Sequence, residues 1–422
     1  MARDNGRGGR NSRTRGAGSA SRQAVRSGAG ARRKQATANV KARTAEAAQR
    51  ASRDAGDSGA SATTPVDLFE TIAQMGHEQV VLCHDDSCGY RGIIAIHSTT
   101  LGPALGGTRF WQYVDSEAAV VDALRLSRGM TYKNAVAGLN LGGGKSVIIG
   151  DNRTKNRELI FRAHGRFVDS LGGRYITAED VGTSPSDMEY VAMETTHVAG
   201  LAGQSGDPSP VTAHGVFRAI QASANWRWDS DDLAGKTVSV QGCGHVGYYL
   251  AKELSEAGAR IIATDIDPER VRRVVEEFSA KAVDPDAIYD ADADIFAPCA
   301  LGGIINDETI PRLKVEIVAG GANNQLLEER HGDELARRGV LYAPDYVANA
   351  GGVINVYREL AGWDADHALR KASEIHDTIL SVFEIANDDR IATYRAADRL
   401  AERRLQGVGS LVQTWPAPPR KA

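Results

Sequence analysis

The chain has 422 residues, 42% hydrophobic and 25% charged, with a formal net charge of −4. That is ample apolar material for two globular domains, yet no window is apolar for long enough to span a membrane. The four cysteines, Cys83, Cys88, Cys243 and Cys299, form no CxxC pair, which argues against a disulfide framework or any metal site and points to a reducing, cytoplasmic setting.

The charge is unevenly spread. Residues 1–50 hold 13 Lys or Arg against Asp4 and Glu46, so the rest of the chain is strongly acidic and poorly suited to nucleic acid. Residues 1–65 are rich in Arg, Gly, Ala and Ser. They cannot bury enough apolar surface to offset ordering entropy, and are expected to be disordered. A transit peptide and a nucleic-acid-binding arm share this composition; a dispensable extension is the simpler reading.

Residues 66–70 open a short helix, and strands are expected at 79–83 and 92–97 with a turn at 85–89 between them. Residues 101–109 (LGPALGGTR) read as a rigid loop running into strand-like Arg109, Phe110 and Trp111. Residues 117–130 read as a helix with Val120, Val121, Leu124 and Leu126 on its buried face. It delivers the chain into MTYKNAVAGLNLGGGKSVIIGD, residues 130–151. There Lys133 and Lys145 flank what reads as a glycine loop, Gly142-Gly143-Gly144, followed by an apolar strand. Three glycines permit a sharp turn or the close approach of another molecule. Two readings of the lysines stand. Burial and a second cation would make Lys145 an acid/base and Lys133 an anion anchor; alternatively both are solvated. A helix at 159–171 and a strand at 174–177 follow. The strand ends in Ala178-Glu179-Asp180-Val181-Gly182, a carboxylate in the kind of loop where catalytic groups collect.

Residues 206–210 (GDPSP) mark a domain boundary, and 212–224 form a helix. Next come a strand at 237–241, the run Gly242-Cys243-Gly244-His245-Val246-Gly247, a helix from Tyr248 to 258, and a strand at 260–264 ending in Asp265. In that context GxGxxG is the dinucleotide-binding fingerprint. The glycines admit a pyrophosphate to a helix N-terminus. Asp265 would bond the adenosine ribose and repel a 2′-phosphate, favouring NAD over NADP. Strands at 294–297, 316–319 and 339–343 end in loops 298–303, 320–324 and 344–346, all candidate cofactor contacts. Asn323 and Asn324 suit a nicotinamide carboxamide. Thr212, Ala322 and Asn349 complete the candidate cofactor residues. Residues 349–356 open another helix. Residues 367–405 are helical, with Leu369, Ile375, Ile379, Val382 and Phe383 inward, and the chain from 407 looks frayed.

Together GPALGGTRFW, DALRLSRGMTYKNAVAGLNLGGGKSVIIGD, GGRYITAEDVGT, VQGCGHVG, APCALGG, NNQL and YAPDYVANAGGVIN resemble the Glu/Leu/Phe/Val amino-acid dehydrogenase family, from about residue 66 to about 405. GLNLGGGK and ITAEDVGT are most similar to its leucine and valine branch. The resemblance implies an α/β fold of two domains around a cleft: the tail 1–65, a mixed-sheet substrate domain 66–204, a Rossmann-type NAD-binding domain 205–360, and C-terminal helices 361–422 returning to the first domain. It implies reversible, NAD-dependent oxidative deamination of an L-amino acid to a 2-oxo acid, ammonium and NADH, in a homo-oligomer built through the first domain. Lys133 would pair with the substrate α-carboxylate, with Gly106 and Gly107 beside it. Lys145 would be the catalytic lysine and Asp180 its partner carboxylate. Leu105, Ala178, Val353 and Val356 would form an aliphatic side-chain pocket. Leu105 stands where glutamate-using relatives tend to place a lysine, and a second carboxylate buried against it would be unpaired. That favours leucine, isoleucine or valine over phenylalanine or glutamate. A catalytically silent nucleotide-binding regulator is the alternative outside the enzyme class; retention of Lys133, Lys145 and Asp180 together argues against it. Two positions depart from the pattern: His245, where a neutral polar residue is more usual, and Cys88, which has no evident role.

Overall fold

The computed structural model describes residues 67–201 and 206–411; the expectations for residues 1–65, and for the chain beyond 411, lie outside them. Helix α1 (Leu68–Met75) starts at Asp67, whose carboxylate accepts the Phe69 N–H at 3.0 Å, and stops at Gly76 with φ 75°. Strands β1 (Gln79–Asp85), β2 (Tyr90–Ser98) and β3 (Ala104–Trp111) precede α2 (Ser116–Val136). Then come β4 (Gly142–Ile149), α3 (Arg157–Asp169), β5 (Tyr175–Glu179) and α4 (Pro185–Ala192). The sheet order is β1-β2-β4-β3-β5. Strand β2 is antiparallel to both neighbours, while β3 runs parallel to β4 and β5, so the sheet is mixed. Helix α2 covers one face over Ile93, Ala95 and Val147. Phe161 of α3 and Met188 of α4 pack on the other, with Ile94, Phe110 and Tyr175. Each such aliphatic or aromatic burial contributes about 1.5–3 kcal/mol.

Four expectations fail here. The glycine triplet is no loop: it is the start of β4, paired with β2 and β3. A Cβ on Gly142 would lie 1.9 Å from the Ser98 carbonyl, on Gly143 2.0 Å from the Thr131 nitrogen, and on Gly144 2.6 Å from the Tyr175 ring. The glycines make room for the protein's own strands, helix and ring. LGPALGGTR is likewise extended from Ala104 onward. The helix ahead of the triplet runs on to Val136, which places Lys133 on its last turns. Its buried face is Ala119, Val120, Ala123, Leu124, Ser127 and Thr131; Val121 is 40% exposed and Leu126 half-buried.

The second lobe holds α5 (Ser209–Trp228), β6 (Thr237–Gln241), α6 (His245–Glu256), β7 (Arg260–Thr264), α7 (Pro268–Phe278), β8 (Lys281–Ala282), β9 (Ile295–Pro298), β10 (Ile317–Val318), α8 (Glu329–Arg337) and β11 (Leu341–Tyr342). Its six strands are all parallel in the order β11-β10-β9-β6-β7-β8. This is the doubly wound arrangement, with its switch point between β6 and β9 and its ligand crevice at their carboxyl ends. Helix α6 begins at His245 rather than Tyr248, because Gly244 already serves as its cap. Strand β8 was not anticipated. Strands β10 and β11 are shorter than expected.

Five helices close the described chain: α9 (Asp345–Ala348), α10 (Gly351–Ala361), α11 (Ala365–Ser373), α12 (Ile375–Asp389) and α13 (Thr393–Gly409). The expected single amphipathic run is thus divided, at Glu374 and at Arg390 with φ 52°. Ile375, Ile379, Val382 and Phe383 are buried as expected, but Leu369 is 37% exposed. Regular helix continues through Gly409, past the point where fraying was expected.

Candidate functional site

Lys145 lies on β4, clamped between β2 and β3, and is 6% exposed. Its Nζ donates to Oδ2 of Asp180, which stands just past the end of β5. The Arg109 Nε donates to the same oxygen at 3.3 Å. Arg109 is itself held by Asp122 at 2.7 Å, and Asp122 accepts from the Tyr113 hydroxyl at 2.6 Å. The Asp180 N–H donates to Thr183 Oγ1 at 2.8 Å, fixing the loop. Burial pushes the Lys145 pKa down and Arg109 adds to the fall, while Asp180 opposes it. Burial acts to raise the Asp180 carboxyl, but Lys145 and Arg109 outweigh it and hold the group below the usual range.

Beneath Lys145 runs a buried polar floor. Thr108 Oγ1 meets Ser146 Oγ at 2.7 Å and His164 Nε2 at 3.0 Å, and also contacts Thr177 Oγ1. The Tyr175 hydroxyl donates to the Gly106 carbonyl at 2.6 Å, and His164 Nδ1 pairs with the Tyr90 hydroxyl at 2.9 Å. Burial lowers His164 to about 3, so the ring is neutral. The network ties β3, β4 and β5 together under the lysine.

Lys133 reaches the cleft from α2, half-buried. Its Nζ donates to Asn323 Oδ1 of the second lobe at 3.2 Å, and Asn349 Nδ2 donates to that oxygen at 2.8 Å. The buried Asn349 Oδ1 has no partner among the described residues. Asp345, whose carboxylate accepts the Gln325 N–H at 2.8 Å, is the leading electrostatic partner of Lys133. Burial lowers Lys133 to about 8, with Lys145 contributing, while Asp345 and Asp180 resist. Burial raises Asp345, against the pull of the Gln325 N–H and Lys133.

Leu105 (2% exposed), Val353 and the half-buried Val356 belong to one apolar cluster, with Tyr132 and Ile176. Ala178 pairs in register with Gly107 on the neighbouring strand. A Cβ on Gly106 would lie 1.7 Å from the Gly144 carbonyl, and on Gly107 2.5 Å from that of Glu179, so both glycines serve strand packing.

In the crevice of the second lobe the three fingerprint glycines divide their work. Gly242 has φ 98° and makes the turn. A Cβ on Gly247 would lie 1.9 Å from the Gly242 carbonyl, so this glycine lets the helix approach the strand. A Cβ on Gly244 would meet nothing nearer than Arg270 Nη1 at 3.8 Å, leaving an open cradle over the α6 N-terminus. Asp265 holds the loop through the Cys243 N–H at 2.8 Å, at the position suited to a ribose. Val246 packs toward Gly321, and Ala322 is buried beside Pro298, whose carbonyl accepts its N–H at 2.9 Å. Thr212 donates to the Pro208 carbonyl at 2.8 Å on α5. His245, 82% exposed, faces the Asp207 carboxylate at 3.6 Å. Tyr248 turns instead to α7, bonding Glu277 beneath the Arg273 guanidinium. Glycine cradle, helix end, Asp265 and the unpartnered Asn349 oxygen together fit a dinucleotide. Cys88 donates to the Asp85 carbonyl in its turn, accepts from Asn156 Nδ2 through its own carbonyl, and packs against the first lobe's apolar cluster, away from the site residues.

Arg109, Tyr113, Asp122 and Asp345 were not singled out individually from the sequence. Nothing in their spacing distinguishes them from surface charges; only the β3–β5 pairing brings Arg109 to Asp180. Among the described residues no helix is long and apolar enough to cross a membrane, and no group of three His, Cys, Asp or Glu could hold a metal ion.

A family profile described as Glu/Leu/Phe/Val dehydrogenase, dimerisation domain, matches residues 77–197, and one described as Glutamate/Leucine/Phenylalanine/Valine dehydrogenase matches 203–267 and 264–406. The chain is 58% identical to a leucine dehydrogenase of Geobacillus stearothermophilus, over 81% of this chain and 94% of that protein. It is 49% identical to a valine dehydrogenase of Streptomyces coelicolor, over 81% and 96% respectively. The crystal structure of L-tryptophan dehydrogenase from Nostoc punctiforme superposes with a TM-score of 0.75 at 49% identity, covering 81% of this chain and 99% of that one.

Proposed function

The chain belongs to the Glu/Leu/Phe/Val dehydrogenase family, and from that premise we infer that it deaminates leucine, valine and isoleucine oxidatively and reversibly to 2-oxo acids and ammonium, with NAD as cofactor. The likeness to leucine dehydrogenase along nearly the whole of that protein carries the reading. NAD, held along the second-lobe crevice, supplies the hydride acceptor. Gly242 to Gly247 and Asp265 bind its pyrophosphate and adenosine ribose, and Asn349 suits the nicotinamide end. Lys133 pairs with the substrate α-carboxylate, exchanging its Asn323 contact for a full charge. The substrate amine must be neutral before hydride leaves Cα. Lys145, lowered by burial, takes a proton at Nζ and later activates the water that attacks the iminium carbon. Asp180 receives and returns protons as the adduct collapses to ammonium, and Arg109 keeps it oriented. Leu105, Ala178, Val353 and Val356 surround an aliphatic side chain, and closure of the cleft keeps bulk water from the hydride step.

We assign the substrate domain to residues 66–204, the NAD-binding domain to 205–360 and the returning helices to 361–422. Assembly as a homo-oligomer through the first domain, in the cytoplasm, completes the reading; the match of residues 77–197 to a dimerisation domain supports the assembly. Tryptophan is a second candidate substrate, favoured by the 49% identity with a tryptophan dehydrogenase. A panel of leucine, valine, isoleucine, phenylalanine, tryptophan and glutamate, followed by NADH absorbance, decides. Turnover confined to glutamate or tryptophan would refute the aliphatic pocket. Lys145→Ala should keep NAD binding and lose kcat by at least about 10²-fold.

A further inference from the structure

Helix α13 touches both lobes through two carboxylates one turn apart on the same face. Asp398 Oδ1 accepts from the Tyr346 hydroxyl at 2.8 Å, and Glu402 Oε1 accepts from the Tyr132 hydroxyl at 2.9 Å. Each tyrosine is the immediate chain neighbour of a cleft charge: Tyr346 follows Asp345, and Tyr132 precedes Lys133. Arg128, one turn back on α2, donates to the Tyr132 hydroxyl at 3.1 Å, with its guanidinium 4.6 Å from that ring's centroid. Tyr132 is buried and the two carboxylates are half-buried, so solvent screens these bonds only in part. At its first turn α13 is tied to the second lobe by Thr393 Oγ1, which donates to the Tyr342 carbonyl at 2.7 Å. Near its end it is tied to the first lobe by Arg404, whose Nη1 donates to the carbonyls of Asn134 and Ala135 at 3.2 and 3.0 Å. Ala396, Ala397 and Ala401, all fully buried, let the helix backbone lie close to what it spans.

We propose that Asp398 and Glu402 are positioning residues for the dehydrogenase reaction, which fix Lys133 and Asp345 relative to one another across the cleft through the hydroxyls of Tyr132 and Tyr346. Neither carboxylate touches substrate or cofactor. A phenol donating to a carboxylate makes a charge-assisted bond, shorter and stronger than one to an amide. Two such bonds from one rigid helix hold α2 and α9 in a single register. Without one of them, α2 or α9 moves separately and Lys133 Nζ loses its alignment with the α-carboxylate. The Lys145–Asp180 pair rests on other elements and stays in place, whereas Asn349, which caps α9, moves with that helix.

The proposal rests on Lys133 being the carboxylate anchor, so Lys133→Ala is the reference variant. Tyr132→Phe, Glu402→Gln, their double variant and Tyr346→Phe are assayed in the full-length enzyme for KM with leucine, KM with NAD, kcat and melting temperature. Tyr132→Phe and Glu402→Gln, which free α2 alone, should each raise the leucine KM about tenfold with the NAD KM and kcat within about twofold of the parent, whereas Tyr346→Phe, which frees α9 and its Asn349 cap, should raise both KM values. Tyr132→Phe with Glu402→Gln should be no worse than Tyr132→Phe alone, because the bond to Glu402 is already lost with the hydroxyl. A rise in both KM values together in Tyr132→Phe or Glu402→Gln, or a lowered melting temperature with the leucine KM unmoved, would overturn the proposal and leave α13 a plain strut. If Glu402→Gln melts below the assay temperature, Tyr132→Phe, which deletes a single hydroxyl, decides between the two outcomes. An unchanged leucine KM in Lys133→Ala would instead overturn the site assignment itself.

Discussion

Gly144→Ala separates two uses of the glycine triplet. The new methyl would lie 2.6 and 2.7 Å from two Tyr175 ring carbons and 3.2 Å from the Ala104 Cβ. Packed carbons need roughly 3.5 Å, so the ring or the strand must yield by about 1 Å. The ring cannot swing: Tyr175 is fully buried and its hydroxyl is bonded to Gly106 and Ser146. The strand is held by ladders on both edges. Overpacking of this kind costs about 1–3 kcal/mol. Lys145 is the next residue, so the strain reaches its Nζ, where a displacement of that size lowers kcat by about 10²-fold. Urea unfolding and steady-state kinetics read both effects, and the NAD KM should stay unchanged. If Gly144→Ala kept full stability and raised only the amino-acid KM, the triplet would be room for substrate, and the packing argument would be wrong.

Gly244→Ala should do the reverse: its Cβ meets open space, so unfolding stays within about 0.5 kcal/mol, while calorimetric NAD affinity falls at least about tenfold as the methyl blocks the pyrophosphate. Lys133 should lose its charge as pH rises through about 8, so the amino-acid KM should climb above that pH in the parent enzyme; a flat profile to pH 10 would count against its role as anchor. Lys145 must be neutral to act as base, so kcat/KM should rise with pH on the acid limb, and Lys145→Ala should abolish that rise along with turnover. His164 binds its proton near 3 when folded but near 6.5 when unfolded, so its stabilisation is whole above pH 6.5 and fades as pH falls toward 3. By pH 5 it has lost about 2 kcal/mol. His97, lowered to about 4 by burial, acts in the same sense. The slope of unfolding free energy against pH between 5 and 6.5 should therefore be shallower in His164→Asn than in the parent.

The second lobe was legible in the sequence because its signals are local. A strand, three glycines at fixed offsets, a helix and an acid sit within thirty residues, and each glycine has a conformational or steric reason that a short window contains. The first lobe was less legible because its glycines have tertiary reasons. Gly142 to Gly144 lack any side chain that favours a strand. Their extended form comes from β2 and β3 on either edge, and their smallness from Thr131 and Tyr175 pressing in. Lys145 and Asp180 were singled out because their motifs are distinctive, and the structure brings the two side chains into contact, while Arg109 was passed over as the end of a loop. Val121 and Leu369 show the limit of periodicity: alanine, serine and threonine take inward positions beside Val120 and Leu124, and these two large apolar residues face out.

The Arg404 contact bears on how the enzyme is made. The helix that carries Lys133 forms early in the chain, yet its final carbonyls are held by a side chain 270 residues further on. At about 5–20 residues per second, a ribosome needs on the order of 15–50 s to cover that distance. For most of that interval, once β5 has been made, the nascent first lobe has its sheet and its lysines but no clasp on the end of the anchoring helix. The dinucleotide lobe, by contrast, has its fingerprint and most of its strands long before Arg404 emerges. Cofactor affinity should therefore appear on the growing chain before turnover does, and catalytic competence is among the last properties the polypeptide acquires.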